Sequence, residues 1–480
     1  MLTDELKYRI LGALEVEPTA EQATAVDVFC SFLFDRDEQS VMLVRGCAGT
    51  GKTTLAAAFV KTLAALNQKL VMLAPTGRAA KVLSLYAGHT AYTIHRRIYR
   101  QRTAGDMSAF NLNDNLQSNT LFIIDEASMI ANSGSLDTNF GSGRLLDDLI
   151  QYVYNGRNCR MMLIGDRAQL PPVGEEESPA LQSDFLSGYG LKVFDCDLNE
   201  VLRQSRESGI LFNATRIRTA CSPAGLMIDV LPKIRLKRFA DICVVNGDEL
   251  IETMATSYSR VGIDETMVVT RSNKRANIYN QGIRNMILGR EEELSSGDML
   301  MVVRNNYHWE MPSEGDNGQA AQSFIANGDR MRVRRIRNIR ELYGLRFADI
   351  TVEFPDYDDY EITATAILDT LTTESPALTR EQMEILYNNV MEDYSDIPLK
   401  ADRLKKLKQD PYFNALQVKF AYAITCHKAQ GGQWEHVYLD QGYVTDDMLS
   451  PDYIHWLYTA FTRASEKLFL VNWPKEQTEQ

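Results

Sequence analysis

Val41-Met42-Leu43-Val44-Arg45-Gly46-Cys47-Ala48-Gly49-Thr50-Gly51-Lys52-Thr53 is the stretch that decides the fold. A short apolar strand runs into a glycine-rich turn, and the turn opens a helix read from Leu55 to Leu66. Strand, turn and helix in that order make a phosphate-binding loop. The glycines permit backbone angles that aim amide hydrogens inward, so that amides and helix N-terminus cradle phosphates. Lys52 is placed to reach the β and γ oxygens and the Thr53 hydroxyl to hold Mg²⁺. The expected nucleotide cradle is Gly46, Cys47, Ala48, Gly49, Thr50, Gly51, Lys52, Thr53 and Thr54, with ATP and Mg²⁺ as the cofactors.

A phosphate site needs an anionic group to fix the metal and another to act on water. Asp125-Glu126, ending the apolar run Leu121 to Ile124, supplies both. Asp125 is the expected Mg²⁺ ligand, and Glu126 the group that orients or deprotonates the attacking water. An acidic pair at a strand end is ordinary loop chemistry in isolation; some 70 residues after a phosphate loop it reads as catalytic.

Around these motifs the chain alternates apolar runs with helical segments, the pattern of a parallel sheet with crossover helices. Val41 to Val44, Leu70 to Ala74, Leu121 to Ile124 and Met161 to Ile164 form one sheet, and the pattern restarts after about residue 205 with Met267 to Thr270, Val418 to Ile424, Val437 to Leu439 and Leu468 to Val471. Between them, alternating runs at 299–304, 331–336, 348–354 and 362–367 predict antiparallel strands of a small barrel, followed by a helical arm over about 376–410. The expected fold is therefore α/β, with two RecA-like domains, a barrel and a helical arm. The boundaries read 1–200 for the first motor domain, with a hairpin insertion at 88–118; 201–295 and 412–480 for the second; and 296–411 for the barrel and arm.

Bulk properties narrow the class. The chain has 480 residues, 45% of them apolar, and no run of roughly 18 apolar residues. The first residues carry Asp4, Glu5, Glu15 and Glu17 instead of a signal pattern. Seven cysteines without a close pair argue against zinc, iron–sulfur or disulfides and suit a reducing cytosol, so a cytoplasmic location is expected. The net charge of −13 speaks against a general nucleic-acid coat, yet charge is local. Arg330, Arg332, Arg334, Arg335, Arg337 and Arg340 crowd one segment, which is either a nucleic-acid surface or one solvated face of a strand.

Two arginines, Arg203 in Leu198-Asn199-Glu200-Val201-Leu202-Arg203-Gln204 and Arg463 in Tyr458-Thr459-Ala460-Phe461-Thr462-Arg463, are candidates to stabilise charge on a transferring phosphoryl group. By local pattern alone each reads more readily as a solvated or salt-bridged surface residue. The whole set of motifs resembles the superfamily-one helicases, specifically the RecD-like and Dda-like branch, over nearly the full chain. The resemblance is carried by Glu21-Gln22, by Ala74-Pro75-Thr76-Gly77-Arg78-Ala79-Ala80, by Thr93-Ile94-His95 and by Gly165-Asp166-Arg167-Ala168-Gln169-Leu170-Pro171-Pro172-Val173. Thr270-Arg271-Ser272-Asn273, Thr425-Cys426-His427-Lys428-Ala429-Gln430-Gly431-Gly432-Gln433 and the two arginine motifs continue it in order.

What the resemblance implies is specific. Gln22 reads adenine, Gln169 senses the γ-phosphate, Gly432 adjoins the nucleotide, and Arg203 and Arg463 are arginine fingers. Pro75, Thr76, Thr93, His95, Thr425, His427 and Lys428 contact the strand, although His95 and His427 read equally as structural histidines. The implied activity is ATP-dependent translocation 5′ to 3′ on single-stranded DNA with unwinding of tailed duplex. The implied setting is a monomer in DNA repair and recombination, working with replication or repair proteins and no membrane. The phosphate loop begins at Gly46, so the chain resembles the short form without a long N-terminal domain. Phe110, among Tyr92, Arg96, Arg97, Tyr99, Arg100 and Arg102, is either a strand-separating wedge or the packing of a small hairpin. An RNA helicase, a translocase that does not unwind, or a non-hydrolysing scaffold subunit remain the other readings of the residues.

Overall fold

The computed structural model describes residues 2–14, 16–101, 110–134, 140–201, 207–219, 232–311, 323–445 and 448–479. Arg203, with Leu202 and Gln204, as well as Arg102 and Cys221, lie outside the described residues. The chain divides into two compact units, one of residues 1–99, 112–245 and 429–480 and the other of residues 100–111 and 246–428.

In the first unit, helices α1 (Leu2–Ala13), α2 (Ala20–Leu33), α3 (Lys52–Ala65) and α4 (Gly77–Ala87) accompany six strands. These are β1 (Ser40–Gly46), β2 (Lys69–Ala74), β3 (Ala91–Thr93), β4 (Thr120–Ile124), β5 (Arg160–Gly165) and β6 (Lys192–Leu198). They run in the order β3-β2-β4-β5-β1-β6, all parallel. Residues of β1, β4 and β5 are buried along almost their whole length, as strands covered on both faces must be. The core beneath holds Phe29 stacked on Phe59 at 4.0 Å, joining α2 to α3. Because the phosphate loop follows β1 and the acidic pair follows β4, with β5 between, both open at the carboxyl edge, where parallel sheets carry their ligands. The same unit also holds a parallel set in which Ala464–Val471 pairs with both Ile242–Val245 and Trp434–Asp440, as well as the helix Pro451–Phe461.

The second unit contains a closed barrel of strands Met299–Val302, Arg330–Leu342, Leu345–Phe354, Tyr360–Ile367 and Leu416–Phe420. Helices Arg380–Asp393 and Lys400–Gln409 form the arm; Thr379 and Gln382 close a capping box at its start. The run read as one strand, Val418 to Ile424, is two. Leu416–Phe420 closes the barrel and Ala423–Thr425 pairs parallel with Thr266–Thr270. Asn280 makes the corner: its carboxamide donates to Phe420 O and Ala423 O at 3.1 and 3.0 Å and accepts from Tyr422 N and Ala423 N at 3.0 and 2.8 Å. A single apolar run cannot reveal that break, since both halves are equally buried.

Candidate nucleotide and strand sites

The phosphate loop takes its shape from backbone angles only glycine adopts freely: Gly49 at φ 78° and Gly51 at φ 81°. Gly46 has no room for a side chain, since a Cβ there would lie 2.9 Å from Leu198 Cβ. Lys52 Nζ donates to Gly46 O at 2.6 Å and Cys47 O at 2.9 Å, which holds the ammonium over the loop. Thr50 is buried behind it, its hydroxyl donating to Cys47 O at 2.8 Å.

A cavity of about 350 Å³ opens in front of this loop. Cys47, Ala48, Gly49, Gly51, Lys52, Thr53 and Thr54 line it on one side, Asp125, Glu126 and Gln169 on another, and Gly431, Gln433, Thr462 and Arg463 on a third. Residues 411 positions apart, Lys52 and Arg463, thus share one wall-to-wall space. Gly46, Thr50 and Gly432 support the cavity and do not line it.

Glu126 sits at φ 53°, a left-handed conformation that costs a residue with a side chain energy and is concentrated at working sites. Its amide donates to Asp125 Oδ1 at 2.8 Å. Burial, and then the neighbouring Glu126, push the Asp125 carboxyl up to about 7, against the pull of the Glu126 amide and Lys52. Two carboxyl groups crowded in this way suit a divalent cation, which relieves their repulsion. Among the described residues no three His, Cys, Asp or Glu side chains form a metal cluster by themselves, so any such ion would draw its other ligands from a hydroxyl and from phosphate oxygens.

Gln169 is buried, lines the cavity, and its Oε1 has no hydrogen-bond partner among the described residues. A buried acceptor left unpaired costs about 1–3 kcal/mol, which makes this atom a receptor for a donor from the cavity. Arg463 is likewise buried; it donates to Thr459 O, Gly432 O and Thr462 Oγ1, each at 3.0 Å, which aims the guanidinium. Gln22 is elsewhere engaged: Oε1 accepts from Thr19 N at 3.0 Å, Nε2 donates to Thr50 O at 3.1 Å, and the side chain does not line the cavity. Contact with a base would require exchanging one of those bonds. Beside it, Glu21 accepts from Asn199 N and Glu200 N at 2.6 and 2.7 Å, a brace on the segment leading to Arg203.

The strand candidates fall in both units. In the first, Pro75 and Thr76 are half-buried, and Thr76 caps α4 by accepting from Ala79 N at 3.2 Å. Thr93 is buried, its hydroxyl capping the turn Ile94–Ile98. His95 packs edge-on to Phe140 at 4.9 Å and near Tyr99, and burial pulls its pKa down to about 4, so the ring is neutral near pH 7. In the second unit, Thr425 and His427 line a cavity of about 420 Å³ with Arg271, Ser272, Asn273, Lys274 and Glu374. Ser272 caps the helix Asn273–Gly282 there, so a helix N-terminus and the cations Arg271 and Lys274 meet at one place, with Lys274 also paired to Glu374 at 3.6 Å. Lys428 is partly buried beside that site, and burial, then Lys419, bring its ammonium down to about 8.

The structure bears on two open alternatives. Phe110 is buried against Tyr307 at 4.6 Å and Phe324 at 5.9 Å, so its ring packs within the second unit and is no exposed wedge. In the arginine segment, Arg332 and Arg334 pair with Glu353, Arg340 with Asp349 and Arg330 with Asp356. Most of that cluster is balanced by carboxylates of the barrel itself. Residues that sequence patterns did not single out include Gln433 and Thr462 of the first cavity's wall and Ser272 of the second; each sat inside a recognised motif, which was the available signal.

Two family models match the chain: AAA domain over residues 17–220 and UvrD-like helicase C-terminal domain over residues 420–471. It is 23% identical to the ATP-dependent DNA helicase Dda of Enterobacteria phage T4, over 68% of this chain and 72% of that one. The ATP-dependent RecD2 DNA helicase of Deinococcus radiodurans is 24% identical, over 70% of this chain and 42% of its own length. Protein R530 of Acanthamoeba polyphaga mimivirus is 22% identical over 94% of this chain and 98% of its own. Among solved structures, a Pif1 helicase from Bacteroides in complex with ADP-AlF3 and ssDNA aligns with a TM-score of 0.46 at 15% identity, over 96% of this chain and 94% of that one.

Proposed function

We infer that this chain, which belongs to the superfamily-one helicases of the RecD-like and Dda-like branch, hydrolyses ATP to advance along single-stranded DNA from 5′ to 3′ and to unwind the duplex ahead of it. The observation that carries the reading is the unpaired, buried Gln169 Oε1 in the cavity that Lys52, Glu126 and Arg463 also line. A buried acceptor facing the cavity is satisfied when a donor such as a water enters it.

In this reading ATP is the substrate. The loop amides and Lys52 hold its phosphates, Thr53 and Asp125 hold Mg²⁺, and that ion, when bound, neutralises charge on the phosphate oxygens. Glu126 orients or deprotonates the attacking water and Gln169 accepts a hydrogen bond from it. Arg463, and Arg203 with it, stabilise the charge that develops on the transferring group; a positioned arginine of this kind is worth roughly 10³ to 10⁵ in rate. Residues 1–200 serve as the first motor lobe, 201–295 and 412–480 as the second, and 296–411 as the barrel and arm. Because the cavity is lined from both the phosphate loop and the 429–480 segment, hydrolysis and phosphate release remove a bridge between them, and the grip on the strand alternates with it. Hydroxyls and cations such as those of Thr425, Ser272 and Arg271 suit contacts to phosphates, which carry no sequence information.

The test is unwinding of DNA duplexes with a 5′ or a 3′ tail, in parallel with RNA-tailed duplexes and strand-stimulated ATPase. ATP-dependent unwinding of the 5′-tailed DNA alone is expected. Unwinding only from a 3′ tail overturns the direction, preference for RNA overturns the substrate, and ATPase without unwinding reduces the protein to a translocase.

A further inference from the structure

The helix Pro451–Phe461 is fastened to the loop that carries Gln169 at several points. Leu170 N donates to Thr459 Oγ1 at 2.7 Å, and the His455 Nδ1 lies 2.9 Å from Ala168 O. A neighbouring segment adds Gln430 Nε2, which donates to Leu170 O at 2.6 Å. Most of these bonds join only two elements. Tyr458 joins three. Its hydroxyl, buried to 1% exposure, donates to Asp166 Oδ2 at 2.7 Å and accepts from the phosphate-loop amide Ala48 N at 2.8 Å. The other carboxylate oxygen of Asp166 accepts from Ala168 N at 2.9 Å, which fixes the turn one residue before Gln169. A phenol has one proton to give, and here it is given to Asp166 while a lone pair holds the loop.

We propose that Tyr458 is a positioning residue for ATP hydrolysis: its hydroxyl clamps the phosphate loop to the Gln169 loop and ties both to the helix Pro451–Phe461, which ends two residues before Arg463. This rests on the hydrolytic reading above. Gln169 Oε1 has no hydrogen-bond partner among the described residues, so it meets a water beside phosphates held by Lys52 only if the two loops keep a fixed separation. Geometry errors of about 1 Å at a reacting centre cost on the order of 10²-fold in rate. Tyr458 touches no reacting atom. Its effect should therefore appear in turnover and not in affinity for the nucleotide.

The experiment is Tyr458→Phe in the full chain, with steady-state ATPase on saturating single-stranded DNA, affinity for ADP, and thermal unfolding. The expected result is a kcat lower by 10- to 100-fold, with KM for ATP and the ADP dissociation constant within about threefold of the parent. Unchanged kcat, or a loss expressed wholly as a raised KM, overturns the clamp. Because phenylalanine leaves Asp166 buried without its donor, the double variant Tyr458→Phe/Asp166→Asn removes that charge without rebuilding the clamp. If the double variant is stable and still slow, the clamp stands; if neutralising Asp166 restores turnover, Tyr458 merely satisfies a buried charge and the proposal falls. A parent chain with no DNA-stimulated ATPase at all refutes the hydrolytic reading instead, so the two failures are told apart.

Discussion

Lys52→Ala is the sharpest single perturbation. The ammonium is held by Gly46 O and Cys47 O at 2.6 and 2.9 Å and lines the cavity, so the charge is fixed beside the proposed ATP site. Two unit charges about 4 Å apart at an effective dielectric of about 20 interact by about 4 kcal/mol. Spread over the developing charge of the transition state, that amounts to about 10³-fold in kcat at 1.36 kcal/mol per decade. The strand candidates Thr425 and His427 line a different cavity, and strand affinity in the absence of nucleotide should stay within about twofold. The assay is phosphate release on saturating single-stranded DNA, with fluorescence anisotropy of a labelled oligonucleotide in parallel. Turnover within tenfold of the parent would refute the assignment of the loop, and loss of strand binding with a normal melting profile would refute the separation of the two sites.

Two further outcomes concern the scaffold. Asp298 is fully buried and accepts from Arg284 at 3.0 Å, Arg290 at 2.8 Å and the Tyr422 hydroxyl at 2.9 Å, so Asp298→Ala strands two cations and should cost about 3–5 kcal/mol in denaturant unfolding of the second unit's transition. A loss under 1 kcal/mol contradicts the network. His95 is held neutral in the fold with its pKa at about 4, below the ordinary 6.5. Between those values the unfolded chain binds a proton that the folded chain does not, so stability is full above about pH 6.5 and falls as pH drops toward 4. His95→Phe should therefore narrow the difference between urea midpoints measured at pH 7 and pH 5; an unchanged difference shows that His95 titrates freely.

Local sequence was enough where one short segment carries the whole feature. Glycines at 46, 49 and 51 after an apolar strand, and Asp125-Glu126 after another, describe their own backbone needs, and each feature lies within about eight consecutive residues. Barrel strands and the arm were legible for the same reason, since alternation and a capping box are local. The end of the barrel was not: Leu416–Phe420 and Ala423–Thr425 read as one strand because the corner between them is made by Asn280, some 140 residues away. Phe110 and the arginine segment were undecided in the sequence, because whether a ring is exposed or a guanidinium already paired depends on Tyr307, Phe324, Glu353 and Asp349.

The sequence by itself determined the phosphate-loop motif, the parallel-sheet class and the family resemblance, since these rest on residue types at short spacing. Tertiary structure alone decided that Gln22 braces Thr50, that Gln169 Oε1 has no partner among the described residues, and that Tyr458 reaches across 410 positions to Ala48. The physical reason is that hydrogen-bond satisfaction is a property of a neighbourhood: a side chain's sequence states what it can donate or accept, and only the folded chain states what is near enough to take it.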